Sequence, residues 1–288
     1  MKHKSISSSA MLLDLNISVY TGRKQDKATA NEVSVAKGAR ASATSVQKNL
    51  FAEDTDLEAI NSFAGVSRTW LYNVTLPWSD SGTRLVPTKV FMDISHELTQ
   101  REQQFNALVD TFVNNFSTKV AAQAFKLGKL FDAKEYPSAG DMHRKFGFRY
   151  HFTPVPESGD FRVDIPAEAA VQLKEKFEAS VKSRVQDAMN APWERLYQEV
   201  VHIRAKMLPK EDGKPQKLYA SMLENALGLC TTLQSLNVLD DPDLEAARRA
   251  LEISLVDVDI KSLRDSPEMR DSIKTKMDDL TDKFSLAL

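Results

Sequence analysis

Residues 88–126 read TKVFMDISHELTQREQQFNALVDTFVNNFSTKVAAQAFK, and neither Pro nor Gly interrupts the chain between Pro87 and Gly128. Leu98, Phe105 and Phe112 recur at heptad spacing, flanked by Leu108, Val109, Phe116 and Val120. This spacing predicts one long helix with a coiled-coil-like apolar seam, over fewer heptads than a coiled coil requires. At the helical rise per residue such a segment reaches roughly 55–60 Å, against a radius of gyration of about 19 Å for a compact chain of this length. The expectation is an elongated molecule of antiparallel helices. Leu98, Phe105, Phe112 and Phe116 are its candidate self-association seam, in a homo-oligomer.

Upstream, Thr55-Asp56-Leu57-Glu58 has the form of a capping box, and Leu57, Ile60, Ala64, Ser67, Leu71 and Val74 follow at helical steps. A helix over 55–74 is predicted, ended by the turn chemistry of Leu76-Pro77-Trp78-Ser79-Asp80-Ser81-Gly82. Earlier still, Leu13, Leu15, Ile17 and Val19 alternate with polar residues, which is the period of a strand with one wet face.

Downstream, Phe146, Phe148, Tyr150 and Phe152 alternate, Pro154 to Asp160 turns the chain, and Phe161, Val163 and Ile165 alternate again. This reads as a hairpin, marginal alone, which the 13–19 strand joins or the helices cover. One face is apolar; the other carries Arg149, His151, Arg162 and Asp164. A second long helical region opens at Pro166, with a kink or a restart capped by Asn190 expected at Asn190-Ala191-Pro192. It continues to about Met207. After the Pro209 to Pro215 break come three shorter helices, at 217–236, 243–253 and 267–284, the second capped by Asp241-Pro242. The fold class is α+β, mostly α, with long antiparallel helices and a small antiparallel sheet. The domain reading is 1–208, then an acidic helical region at 209–288.

The net charge of -2 hides an asymmetry: residues 1–50 carry eight Lys and Arg against three Asp and Glu, whereas 209–288 carry 11 against 16. The basic surplus falls mostly in Thr21 to Lys48, a stretch without aromatic residues and with little helical or strand period, which reads as a mobile or weakly ordered arm. Such an arm contacts phosphates, lies against an acidic region of its own or a neighbouring chain, or is simply a solvated loop. The candidate nucleic-acid contacts are Arg23, Lys24, Lys27, Lys37, Arg40 and Lys48, with Arg149 and Arg162 on the hairpin. Phe148, Tyr150 and Phe152 either stack bases or pack on the long helices, and packing is the better reading of a large apolar face.

Catalytic signatures do not appear. His96-Glu97-Leu98-Thr99-Gln100 has Gln100 where a zinc protease needs its second histidine. There is no phosphate loop ending in Gly-Lys-Ser/Thr, no Rossmann glycine triplet and no Gly-x-Ser-x-Gly elbow. No metal ligand set and no cofactor is implied, which points away from an enzyme, although residues assembled by the fold escape a motif search. Asp240-Asp241-Pro242-Asp243 reads as helix capping. Cys230, the single cysteine, excludes an intramolecular disulfide and sits in an apolar helical stretch as a small buried hydrophobe. The start lacks the apolar core of a secretory peptide, and no run of about 18 apolar residues could span a bilayer. The expected location is cytoplasmic, without membrane attachment.

Three segments carry a resemblance: Leu15-Asn16-Ile17-Ser18-Val19-Tyr20-Thr21-Gly22-Arg23-Lys24, the helical region around Thr88 to Phe116, and Phe148-Arg149-Tyr150 with Phe161-Arg162-Val163. Over roughly residues 12–208 the chain resembles a largely bacteriophage-encoded family known only as a domain of unknown function. It departs after Gly22, where it is Ala- and Ser-rich, and the last third matches weakly. The resemblance implies phage or bacterial cytoplasm and a gene neighbourhood that can include a MoxR/CobS-like AAA+ ATPase; it carries no site residue. Two functions are therefore expected. The first is a non-enzymatic phage accessory protein, an oligomeric helical scaffold or adaptor working with an AAA+ ATPase. The second is a nucleic-acid-binding protein of phage DNA metabolism that uses the basic N-terminal stretch.

Overall fold

The computed structural model describes residues 6–157 and 167–284. Its elements in chain order are α1 (Ile6–Ser9), β1 (Ala10–Ser18), β2 (Arg23–Gln25), α2 (Lys27–Ala36), β3 (Gln47–Asn49), α3 (Thr55–Val74), β4 (Leu76–Pro77), β5 (Arg84–Pro87), α4 (Phe91–Asn114), α5 (Phe116–Leu127), α6 (Ala139–Met142), β6 (Gly147–Pro154), α7 (Ala167–Met207), α8 (Ala220–Leu236), α9 (Pro242–Leu255), α10 (Ile260–Asp265) and α11 (Pro267–Phe284). Helix dominates, and the small sheet runs β4-β5-β1-β6, with β1 antiparallel to β5 from Ala10↔Pro87 to Leu13↔Arg84. The expected 13–19 strand thus does lie beside the aromatic strand β6. The second arm of the expected hairpin, with Phe161, Arg162, Val163 and Ile165, falls outside the described residues. The β4–β5 pair was not expected: Gly82, at φ +97°, turns a hairpin whose strands are too short to show a period.

The chain divides into two compact units, one of 1–14, 72–94 and 152–288, the other of 15–71 and 95–151. In the first unit Leu196, Val200, Ile203 and Met207 of α7 share one core with Cys230 and Leu233 of α8, Leu251 and Leu255 of α9, and Ile273, Met277 and Leu280 of α11. The expected boundary at 208 therefore cuts through a single core, because the α7 stripe is buried only by the helices that follow it. Helix α7 is continuous through Pro192, without the restart that was one of the two expectations there. Proline removes one backbone bond, and the helix continues past it with Ala188 and Leu196 on either side packed away from solvent. Asp241 caps α9 as expected, accepting the Asp243 and Leu244 N–H groups at 2.9 and 3.3 Å. Phe152 packs on Phe91, ring centres 4.8 Å apart.

In the second unit the heptad seam turns inward. Leu98, Phe105, Phe112 and Phe116 are all buried within the unit's own core. Phe112 meets Phe51 at 5.3 Å and Phe146 at 5.8 Å, Phe116 meets Phe51 at 5.6 Å, and Phe105 meets Phe148 at 5.7 Å. Each buried phenylalanine contributes about 1.5–3 kcal/mol, and that gain is already realised inside one chain. The side chains proposed to join copies are therefore occupied within the fold. The single helix expected over 88–126 is divided at Asn115, which leaves helical geometry (φ −96°, ψ 2°) and donates its Nδ2 to the Thr111 carbonyl at 3.0 Å. Two adjacent asparagines, whose amides compete for backbone groups, account for the break.

Candidate nucleic-acid interface

The basic stretch 21–48 is not a loose arm. Gly22 turns the chain at φ +64°, buried so closely that an added Cβ would stand 3.2 Å from Leu57 Cδ2. From there β2 pairs with β3 antiparallel, Arg23↔Asn49 to Gln25↔Gln47. Between them Asp26 starts α2, its carboxylate accepting the Thr29 N–H at 3.1 Å and the Thr29 hydroxyl at 3.0 Å. The return is pinned at the Ala30 carbonyl, which accepts both the Ser34 and Thr44 hydroxyls at 2.9 Å; those hydroxyls also bond each other. These small hydroxyl and capping residues, not an apolar period, order the segment, which is why periodicity misses it.

Ordering sorts the candidate cations. Lys48 is turned inward, its side chain 8% exposed, with its ammonium 2.5 Å from Glu135 and 3.0 Å from the Leu130 carbonyl. Lys24, half exposed, reaches the same carboxylate at 3.8 Å. Tyr136, next to Glu135, donates to the Leu50 carbonyl at 2.8 Å and meets the Phe51 ring edge to face at 5.5 Å. Burial, then Tyr20 and Glu135, push its phenol up to about 12. Lys48 and Lys24 thus fasten the β2–β3 ribbon to the 128–136 loop.

Arg23, Lys27, Lys37 and Arg40 are exposed, and among the described residues none of them makes an ion pair. Lys27 and Lys37 bracket α2, about 15 Å apart along its axis, a span that covers about four phosphates of one strand. The loop fastened beneath the ribbon adds Lys129 and Lys134, both exposed. Only tertiary structure brings these two beside the ribbon, so no local pattern could have found them. Arg149 is exposed on β6, outside the module, and Arg162 lies outside the described residues. The aromatic face of β6 packs rather than stacking bases: Phe148 lies on Phe105, and the Tyr150 hydroxyl stands 3.0 Å from that of Thr99.

His96 bonds Gln100 at 3.0 Å and Glu97 pairs with Arg101 at 2.8 Å, so the zinc-like segment is an ordinary helix surface. Among the described residues no group of three or more His, Cys, Asp or Glu gathers as for a metal ion. No helix among them is long and apolar enough to cross a membrane. No family model, curated protein or solved structure matches the chain.

Proposed function

We propose that the chain is a nucleic-acid-binding protein that grips the phosphate backbone through the β2–α2–β3 module and its neighbouring 128–136 loop. The observation that carries this reading is that the module is ordered by its own caps and hydroxyl bonds, yet leaves Arg23, Lys27, Lys37 and Arg40 exposed without a counter-ion among the described residues. Ordered, unpaired cations on a rigid frame suit a polyanion of regular charge spacing, and the contact needs no base readout. Work in bacteriophage DNA metabolism belongs to the same proposal, the phage setting being what the resemblance implies.

A second reading, an oligomeric adaptor working beside an AAA+ ATPase, draws on apolar side chains left outside: Phe125 of α5 is 92% exposed and Val35 of α2 is 81% exposed. It ranks second because single exposed apolar residues are common, and because the seam that suggested self-association is spent in the core. Fluorescence anisotropy with single- and double-stranded oligonucleotides at two salt concentrations decides between the readings. Saturable binding that weakens with salt and disappears when Arg23, Lys27, Lys37 and Arg40 are changed to Glu supports the first. No binding at low salt, with light scattering showing self-association, supports the second.

A further inference from the structure

Within the first unit, the end of α1 and the turn that leads into α4 frame a cavity of about 130 Å³. Its wall is Ser8, Ser9, Pro87, Thr88, Lys89 and Val238. A single water needs only about 10–15 Å³ of such space, so the cavity has room for a larger polar group. Ser9 is 9% exposed, and its hydroxyl oxygen is buried without a hydrogen-bond partner among the described residues. A buried hydroxyl left in that state costs stability, and a ligand oxygen in the adjoining space removes the cost.

The rest of the wall is positive. The turn Thr88–Val90 runs straight into α4, and Pro87 before it supplies no capping side chain. The Lys89 N–H, one of the first-turn groups without an intrahelical acceptor, makes no hydrogen bond among the described residues. Such an uncapped start of a long helix favours an anion. The Thr88 hydroxyl is already committed: it donates to the Ser9 carbonyl at 3.0 Å and ties two parts of the wall together. The Lys89 ammonium stands 2.8 Å from the Asp240 carboxylate and 3.5 Å from the Asn237 carbonyl. Lys89 and Asp240 are each about half exposed, where an ion pair contributes little, and the ammonium keeps a third N–H.

We propose that this cavity seats a terminal phosphoryl group, held by the Ser9 hydroxyl, the Lys89 N–H and the Lys89 ammonium. A hydroxyl, a first-turn N–H and a cation on the wall of one space match the three outer oxygens of such a group. A carboxylate has only two oxygens to offer them. The source is free phosphate or a small phosphomonoester. The backbone diester of a nucleic acid continues on both sides of its phosphorus, and a cavity of this size holds the group but not the chain. The site shares no residue with the basic module, so it stands or falls independently of the function proposed above.

The test is a titration of the full chain, labelled with nitrogen-15, at constant ionic strength, following the Lys89 backbone N–H signal. Inorganic phosphate, ethyl phosphate, dimethyl phosphate and acetate are the probes, and sodium chloride is the control. Saturable movement with phosphate and ethyl phosphate, at least about tenfold weaker with dimethyl phosphate and acetate, is the expected result. Tighter binding of phosphate assigns the seat to the free ion, and tighter binding of ethyl phosphate assigns it to a monoester. Lys89→Gln should weaken phosphate about tenfold. Ser9→Ala should weaken it about fivefold without lowering the urea midpoint of the empty chain, because the hydroxyl it removes is unpaired. No movement of Lys89, an equal response to chloride, dimethyl phosphate bound as tightly as phosphate, or full affinity in Ser9→Ala overturns the proposal. The wild-type titration alone decides this if the variants do not fold.

Discussion

Asp54 holds the Lys119 ammonium through both carboxylate oxygens, at 3.0 and 2.8 Å, while its Oδ1 also accepts the Leu57 N–H at 3.0 Å. One buried side chain therefore starts α3 and ties it to α5. The cap lies one residue earlier than the Thr55 capping box predicts, because an aspartate so placed satisfies both the helix and the lysine. Burial works against the Lys119 charge, but the bonds to Asp54 and Asp56 outweigh it and raise its pKa. Asp54→Ala should destabilise the second unit by about 3 kcal/mol, combining a lost cap with an orphaned ammonium. Asp54→Asn, which keeps an oxygen for Leu57, should lose less. Equilibrium urea unfolding measures both, and equal losses would show that the cap contributes nothing.

Lys48 and Arg40 should separate stability from binding. Lys48→Ala removes the inward ammonium that bridges Glu135 and the Leu130 carbonyl, so it should cost about 2 kcal/mol and change oligonucleotide affinity little. Arg40→Ala touches no partner and should leave stability within about 0.5 kcal/mol. It should weaken binding and reduce the salt slope on single strands by about 0.7, the value of one phosphate contact. With four such contacts the unaltered chain should show a slope near about −3. Binding that is insensitive to salt, or weakened by Lys48→Ala as much as by Arg40→Ala, contradicts the module as an interface.

Much of the architecture could be read from apolar spacing. The α3 and α7 stripes, the C-terminal helices and the Asp241 cap all follow local rules that tertiary contacts reinforce. What periodicity could not show is which surface each stripe meets. Phe105 and Phe112 have the same spacing whether they face a second copy or Phe148 and Phe51, and only the fold shows that they face the latter. The basic stretch was misread for the opposite reason: its order comes from Asp26, Ser34 and Thr44 bonding backbone and one another, which leaves no hydrophobic pattern. Ser9 and Lys89 lie too far apart in the chain for any motif to join them.

Acid should weaken α9. A hydrogen bond from Arg248, opposed by burial and helped by Arg249, pulls the Glu245 carboxyl down to about 2 from 4.5. Because the folded value is the lower one, the stabilisation is complete above about pH 4.5 and fades as the pH falls toward 2. Solvent screening limits it to about 1 kcal/mol. Glu245→Gln should therefore be less stable than the unaltered chain at neutral pH and converge on it near pH 2. Parallel stability curves across that range would mean that the Arg248 bond does not favour the charged carboxylate.

Cys230 should behave as an apolar core atom with a thiol attached. It has no exposed surface, packs in the α7–α8–α9–α11 core, and donates its thiol to the Arg248 carbonyl at 3.8 Å. Burial pushes its thiol up to about 11, offset in part by Arg248, so at pH 8 the thiolate is on the order of a thousandth of the total, and no reagent reaches it without an opening of the core. A disulfide-exchange reagent should label the native chain at least about a hundredfold more slowly than the urea-unfolded chain. Leu251→Ala, which loosens the same core, should speed labelling by lowering the free energy of that opening. Rapid labelling of the native chain would mean that α8 does not pack where the shared core places it.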